Sequence, residues 1–190
     1  MITIAWDVDD VLNNLTECWL KYYNSNNNTS FDYNDITKNP PHEILNISFE
    51  KYIESLDEFR MSEYAQQLVP NQDILDFMDK HKDRFNHIAL TATSAHTAYN
   101  SSYWVLKNFY KYVFSYNVVP AKRDYLTYSN YSDKKSFLQQ HSDVKILIDD
   151  SIKNVEDANS IGVKAYLLKR PWNEGMEINE IFNEIERSAV

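Results

Sequence analysis

The chain has 190 residues, a formal net charge of −9 and a single cysteine, Cys18. That length suits one domain with a modest insertion, and one cysteine excludes an internal disulfide and fits a reducing compartment. The acidic balance without a Lys/Arg block argues against a nucleic-acid polymer as partner, and no apolar run approaches the roughly 20 residues that span a bilayer.

The first element is an apolar, β-branched run, Ile2 to Trp6, that stops at Asp7-Val8-Asp9-Asp10. In open α/β sheets ligands gather beyond the carboxyl ends of strands, so clustered carboxylates there form a candidate metal and phosphate site. Strand alternation directs Asp7 and Asp9 one way and Asp10 the other. Asn14 and Glu17 have capping-box spacing for a helix to about Asn24, with Leu15, Trp19, Tyr22 and Tyr23 on one face. Ser25 to Ser30 reads as a loop, and Pro40-Pro41 breaks the chain again. Up to Pro70 the pattern is short and helical, over Glu43 to Leu45, Phe49 to Leu56 and Arg60 to Leu68, with no strand.

Regular alternation resumes with a helix capped by Asn71, then a buried strand, His87 to Thr91. A helix carrying Tyr103, Leu106, Lys107 and Tyr110 follows, then a strand over Tyr112 to Val119 and an irregular stretch, Pro120 to Tyr131. Lys134 to Gln140 reads as a short helix. Val144 to Ile148 is a strand ending at Asp149-Asp150; the next helix closes at Gly162, and Val163 to Leu168 is the last strand. Ile178, Ile181, Phe182 and Ile185 stripe the final helix. These elements predict an α/β fold: a Rossmann-like parallel five-stranded sheet flanked by helices, with a small helical cap inserted after the first strand. The expected boundaries are a core of 1–17 and 69–190 and a cap of 18–68.

Two strands far apart in sequence thus end in paired aspartates, a third ends in Thr91, and Lys134-Lys135 opens a helix. Converging carboxylates suit Mg²⁺, a hard cation that prefers oxygen ligands. Any of these features alone is commonplace; their joint occurrence in order at strand ends is not. With only two glycines, Gly162 and Gly175, neither G-x-G-x-x-G nor a P-loop can be written, so phosphate would be held without a glycine cradle.

The sequence here resembles the haloacid dehalogenase-like (HAD) superfamily of phosphohydrolases. Its D-x-D-x-[TV]-[LV] motif is matched by Asp7-Val8-Asp9-Asp10-Val11-Leu12, its Ser/Thr strand end by Thr91, its helix-opening Lys by Lys134 with Lys135 as the alternative, and its late acidic strand end by Asp149-Asp150. The D-D-V-L run, Thr91-Ala92 and the segment Arg170-Pro171-Trp172-Asn173 are further similar to the 5'(3')-deoxyribonucleotidase branch. The departure is Asp10, where many relatives carry Gly.

The resemblance implies Asp7 as nucleophile and Asp9 as general acid and base, with Thr91, Ala92 and Lys134 binding phosphate. It implies Mg²⁺ held by Asp7, the Asp9 carbonyl and Asp150. Asp150 is preferred over Asp149 because it stands four residues before Asn154, which leaves Asp149 and Asn154 in support. Cap aromatics would read the substrate, with Phe59 and Tyr64, flanking Arg60, the candidates. The expected protein is a cytoplasmic Mg²⁺-dependent phosphatase acting on a small phosphorylated metabolite, a nucleoside monophosphate foremost. A sugar phosphate is the alternative substrate, and a non-catalytic HAD-fold binding protein the alternative class. No nucleic-acid polymer or membrane is expected as partner; a homodimer is allowed.

Overall fold

A computed structural model describes residues 1–121 and 129–188. Five parallel strands, β1 (Ile2–Trp6), β2 (Phe85–Thr93), β3 (Val113–Pro120), β4 (Val144–Asp149) and β5 (Lys164–Leu167), form one sheet in the order β3-β2-β1-β4-β5. Around them lie α1 (Leu15–Asn27), α2 (Phe49–Met61), α3 (Glu63–Gln66), α4 (Gln72–Lys80), α5 (Ala95–Phe109), α6 (Lys134–Gln140), α7 (Ile152–Asn159) and α8 (Ile178–Ser188). The predicted architecture is therefore the observed one. Most of the irregular stretch expected over Pro120 to Tyr131 lies outside the described residues.

β1 and β4 are buried along nearly their whole length, as strands covered on both faces must be, and this explains their unbroken apolar runs. The chain adds β2 and β3 on one side of β1, then crosses to lay β4 and β5 on the other, so the strand order reverses between β1 and β4. That junction is where open α/β sheets place ligands. Trp6 pairs with both Ala89 and Ile148, and the Asp7 amide donates to the Ile148 carbonyl at 2.9 Å. The two acidic strand ends are flush as a result.

Between β1 and β2 the chain makes a helical excursion that closes where it began, with the Asn71 amide donating to the Leu12 carbonyl at 2.8 Å. α2 is one continuous helix capped by Ser48, rather than the two short pieces expected. The expected Asn14 cap is replaced: Asp10 accepts from the Thr16 amide and hydroxyl, and Asn13 Oδ1 from the Leu15 amide. Asn14 itself donates to Glu17. In α5 the buried residues are Thr97, Trp104, Val105 and Phe109, while Tyr103, Leu106 and Tyr110 stand exposed. The excursion and the sheet share one apolar core, in which Trp19, Leu56 and Phe59 pack with Val8, Val11 and Leu12.

Beneath β1 the Trp6 indole donates to His87 Nδ1 at 3.1 Å, which requires that nitrogen to be unprotonated. Burial lowers the His87 pKa to about 4. The unfolded chain therefore takes up this proton near pH 6.5 and the folded one only near pH 4, so the associated stability is complete above pH 6.5 and is lost as pH falls toward 4. The contribution is about 3 kcal/mol. Urea unfolding across this range should show a shallower acid slope for His87→Asn than for the parent; equal slopes would contradict the assignment.

Candidate active site

Asp7 follows β1, Asp149 ends β4, and Lys134 opens α6, which Asp133 caps through the Ser136 amide. The Lys134 ammonium reaches Asp7 Oδ1 and Asp149 Oδ2, each at 2.7 Å, and is 3% exposed. Lys135 points outward to the Ser160 hydroxyl. Of the two candidate lysines, Lys134 is the one that meets the aspartates. Burial opposes its charge, but Asp149 and Asp7 outweigh that and raise its pKa.

Asp7, Asp149 and Asp150 offer carboxylate oxygens that all lie within 4.8 Å of one another. With all three ionised, the carboxylates would outnumber the one ammonium by two negative charges in a buried place. Burial, with Asp149 adding and Lys134 opposing, pushes Asp7 up to about 7. Burial together with Asp149 and Asp7 raises Asp150 well above the carboxylate range. A divalent cation would cancel the excess, and the all-oxygen donor set fits Mg²⁺.

The two members of the late pair are engaged differently. Asp149 is fully buried and accepts from Lys134, the Ser151 amide and the Asn154 amide group. Asp150 lines the cavity and accepts from Trp172 Nε1 at 3.0 Å. Asn154, four residues after Asp150 in sequence, engages the other acid of the pair: its Nδ2 lies 3.0 and 3.1 Å from the two oxygens of Asp149. Four-residue spacing suits neighbours within a helix, whereas Asp150 precedes α7 and sits in its entry turn.

A cavity of about 460 Å³ opens over these groups and includes Asp7, Asp9, Asp150, Thr91, Ala92 and Lys134. Asp10 lines it too, against the alternation expected of an extended strand. The reason is its backbone, which turns left-handed at φ 60° within the Val8–Leu12 turn that follows β1. Many relatives were expected to carry Gly here; Asp tolerates the conformation and uses its carboxylate to cap α1 through Thr16. Burial raises the Asp10 carboxyl to about 6, with the Thr16 hydrogen bonds opposing.

Phe59 and Tyr64 are not brought to this cavity. Phe59 is 1% exposed and packs on Tyr22, and Tyr64, which is exposed, packs on the same tyrosine. The excursion instead supplies Tyr52, Leu56 and Arg60, one stripe of α2 at intervals of four. Arg60 donates to Asp9 Oδ2 at 2.6 Å. That i, i+4, i+8 spacing is the sequence signal for these residues. Trp172 lines the opposite side of the site from the loop after β5.

No family model matches the sequence, and no curated protein does. Its shape is matched by solved structures. A haloacid dehalogenase-like family hydrolase from Streptococcus pneumoniae superposes with a TM-score of 0.64 at 12% identity, over 96% of this chain and 90% of that one. The fold is that of the HAD-like hydrolases. A HAD-superfamily hydrolase of subfamily IA from Geobacter sulfurreducens gives 0.56 at 13% identity, covering 100% and 97%. A HAD family enzyme from Bacteroides thetaiotaomicron, in complex with magnesium and inorganic phosphate, gives 0.51 at 15%, covering 96% and 99%. The HAD-like fold thus extends over nearly the whole chain, excursion included.

Removing one partner of a buried ion pair leaves the other uncompensated, at a cost of about 3–5 kcal/mol. In metal-free protein at neutral pH, Lys134→Met should lose that much stability to urea, and Lys135→Met no more than about 0.5 kcal/mol, as for an exposed side chain. The Lys134→Met deficit should shrink as pH falls and the stranded carboxyls take up protons. Similar losses for both variants would contradict the placement of Lys134.

Proposed function

We propose that the protein is a Mg²⁺-dependent phosphomonoesterase that works through an aspartyl-phosphate on Asp7, with a nucleoside monophosphate as substrate, in the manner of the 5'(3')-deoxyribonucleotidases. One observation carries the reading: Asp7 faces the cavity while Lys134, 2.7 Å away, and the Asp150 carboxylate flank it. The shared HAD-like fold, and the magnesium and phosphate held by the Bacteroides neighbour, support it.

In this reading Asp7, Asp150 and the Asp9 carbonyl hold the cation, with Asp149 fixing Lys134 from behind. Bound there, Mg²⁺ supplies positive charge to the phosphoryl oxygens and keeps Asp7 ionised. The Asp7 carboxylate attacks phosphorus as the bond to the leaving oxygen breaks, and Asp9 gives that oxygen its proton. Asp9 then takes a proton from water, which attacks the phosphorus and frees Asp7 and inorganic phosphate. Lys134, the Thr91 hydroxyl and the amides at Thr91 and Ala92 hold the phosphoryl oxygens where charge builds. Arg60, on Asp9 Oδ2, leaves Oδ1 as the oxygen that exchanges the proton.

A second reading keeps the chemistry and changes the leaving group to a sugar. Tyr52 and Leu56 are 7% and 5% exposed, so the excursion shows the cavity little aromatic surface, which favours a compact substrate. A panel of phosphomonoesters with Mg²⁺ decides between them. Deoxyribonucleoside monophosphates should show higher kcat/KM than sugar phosphates or glycerol phosphate. Sugar phosphates ranking first would select the second reading, and no hydrolysis of any phosphomonoester would overturn both.

A further inference from the structure

The loop between β5 and α8 is tied down at every turn. The Met176 amide donates to the Leu167 carbonyl at 2.8 Å, and the Lys169 amide to the Met176 carbonyl at 2.9 Å. Gly175 permits this closeness, because a Cβ there would lie 2.5 Å from the Leu167 carbonyl oxygen. Asn173 Oδ1 accepts from the Arg170 and Gly175 amides, both at 3.0 Å, which folds the loop around its own side chain.

So braced, the loop grips both acidic turns. Arg170 Nε donates to the Asp10 carbonyl at 2.7 Å, and Asn173 Nδ2 to the Asp150 carbonyl at 2.8 Å. Trp172, between them, donates its indole N–H to Asp150 Oδ2 at 3.0 Å. Its ring plane is set in turn by Tyr33 of the excursion, which meets it edge-on at 6.1 Å and 89°. An indole N–H can only donate, so one Asp150 oxygen is engaged by a neutral group that does not offset its charge.

We propose that Trp172 is a positioning residue for the cation: it fixes Asp150 through Oδ2 and leaves Oδ1 as the oxygen that binds Mg²⁺. This rests on the metal-dependent reading above. Groups that orient metal ligands from behind typically matter 10–100-fold in affinity. The geometry also makes Trp172 a reporter, since Trp6, Trp19 and Trp104 are buried and line no part of this cavity.

The test is titration of metal-free full-length protein with Mg²⁺ alone, followed by heat and by tryptophan emission. The parent should bind saturably with a change in emission. Trp172→Phe, which keeps a ring against Tyr33 but has no N–H, should lose that change and bind Mg²⁺ roughly 10–100-fold more weakly. Trp172→His, with a ring N–H restored, should recover part of the affinity. Mg²⁺ binding by Trp172→Phe within twofold of the parent would overturn the positioning role while leaving the metal site standing. Should Trp172→Phe fail to fold, parent emission that stays unchanged while heat reports binding would overturn the role by itself. No Mg²⁺ binding by the parent, by heat, would overturn the metal site as well.

Discussion

The buried contact of Lys134 with Asp7 and Asp149 is the constraint on which the rest of the site depends. It joins three elements that are distant in sequence: the residue after β1, the end of β4 and the start of α6. An ammonium with 3% exposure keeps its charge only because two carboxylates face it. Those carboxylates in turn bring Asp150 with them, and with all three ionised the cluster would be more negative than one lysine can balance, so burial and its neighbours hold Asp150 toward its protonated form. A structural ion pair would be expected to balance. The imbalance is what gives the proposed cation its place, and a chain with two glycines needs no glycine cradle if a cation and Lys134 meet the phosphate charge.

The helical excursion is bound into the same arrangement from above. It shares the apolar core with β1, and polar contacts then tie α2 to the core: Arg60 to Asp9, Asp57 to His96 at 3.1 Å, and the Asn100 side chain to the Arg60 carbonyl at 3.2 Å. The side chain of Asp9, the proposed proton carrier, is therefore held by the excursion through Arg60. In the proposed reaction this makes proton transfer depend on where α2 sits, and α2 also forms the wall that the leaving group meets.

Much of this could be read from residues alone, for a physical reason. Strands buried on both faces must be apolar throughout, so Ile2 to Trp6 and Val144 to Ile148 stand out, and two such runs that both stop at paired carboxylates mark one end of the sheet. Lys134 opens α6 and Asp149 ends β4, where short motifs set position, whereas β2 runs on past Thr91 to Thr93. What could not be read depends on how elements turn against each other. α5 shows its tyrosines to solvent and buries Trp104, Val105 and Phe109, a choice its amphipathic pattern does not settle. Phe59 and Arg60 are adjacent in sequence, yet a helix sends neighbours about 100° apart, one into the core and one into the cavity. Asn154 faces Asp149 because the entry turn of α7, not the helix, places Asp150. Asp10 faces the cavity because its left-handed φ ends the alternation, which spacing does not reveal.

Asp7 as the nucleophile is tested most directly by trapping the phosphorylated protein. Enzyme mixed with Mg²⁺ and a radiolabelled nucleoside monophosphate, or a sugar phosphate if that is the better substrate, is quenched in acid within the first turnover, and the label is mapped by peptide. Label on the peptide that carries Asp7, absent from Asp7→Asn, is the predicted result. Turnover with no label on the protein, or label on any other residue, would contradict it.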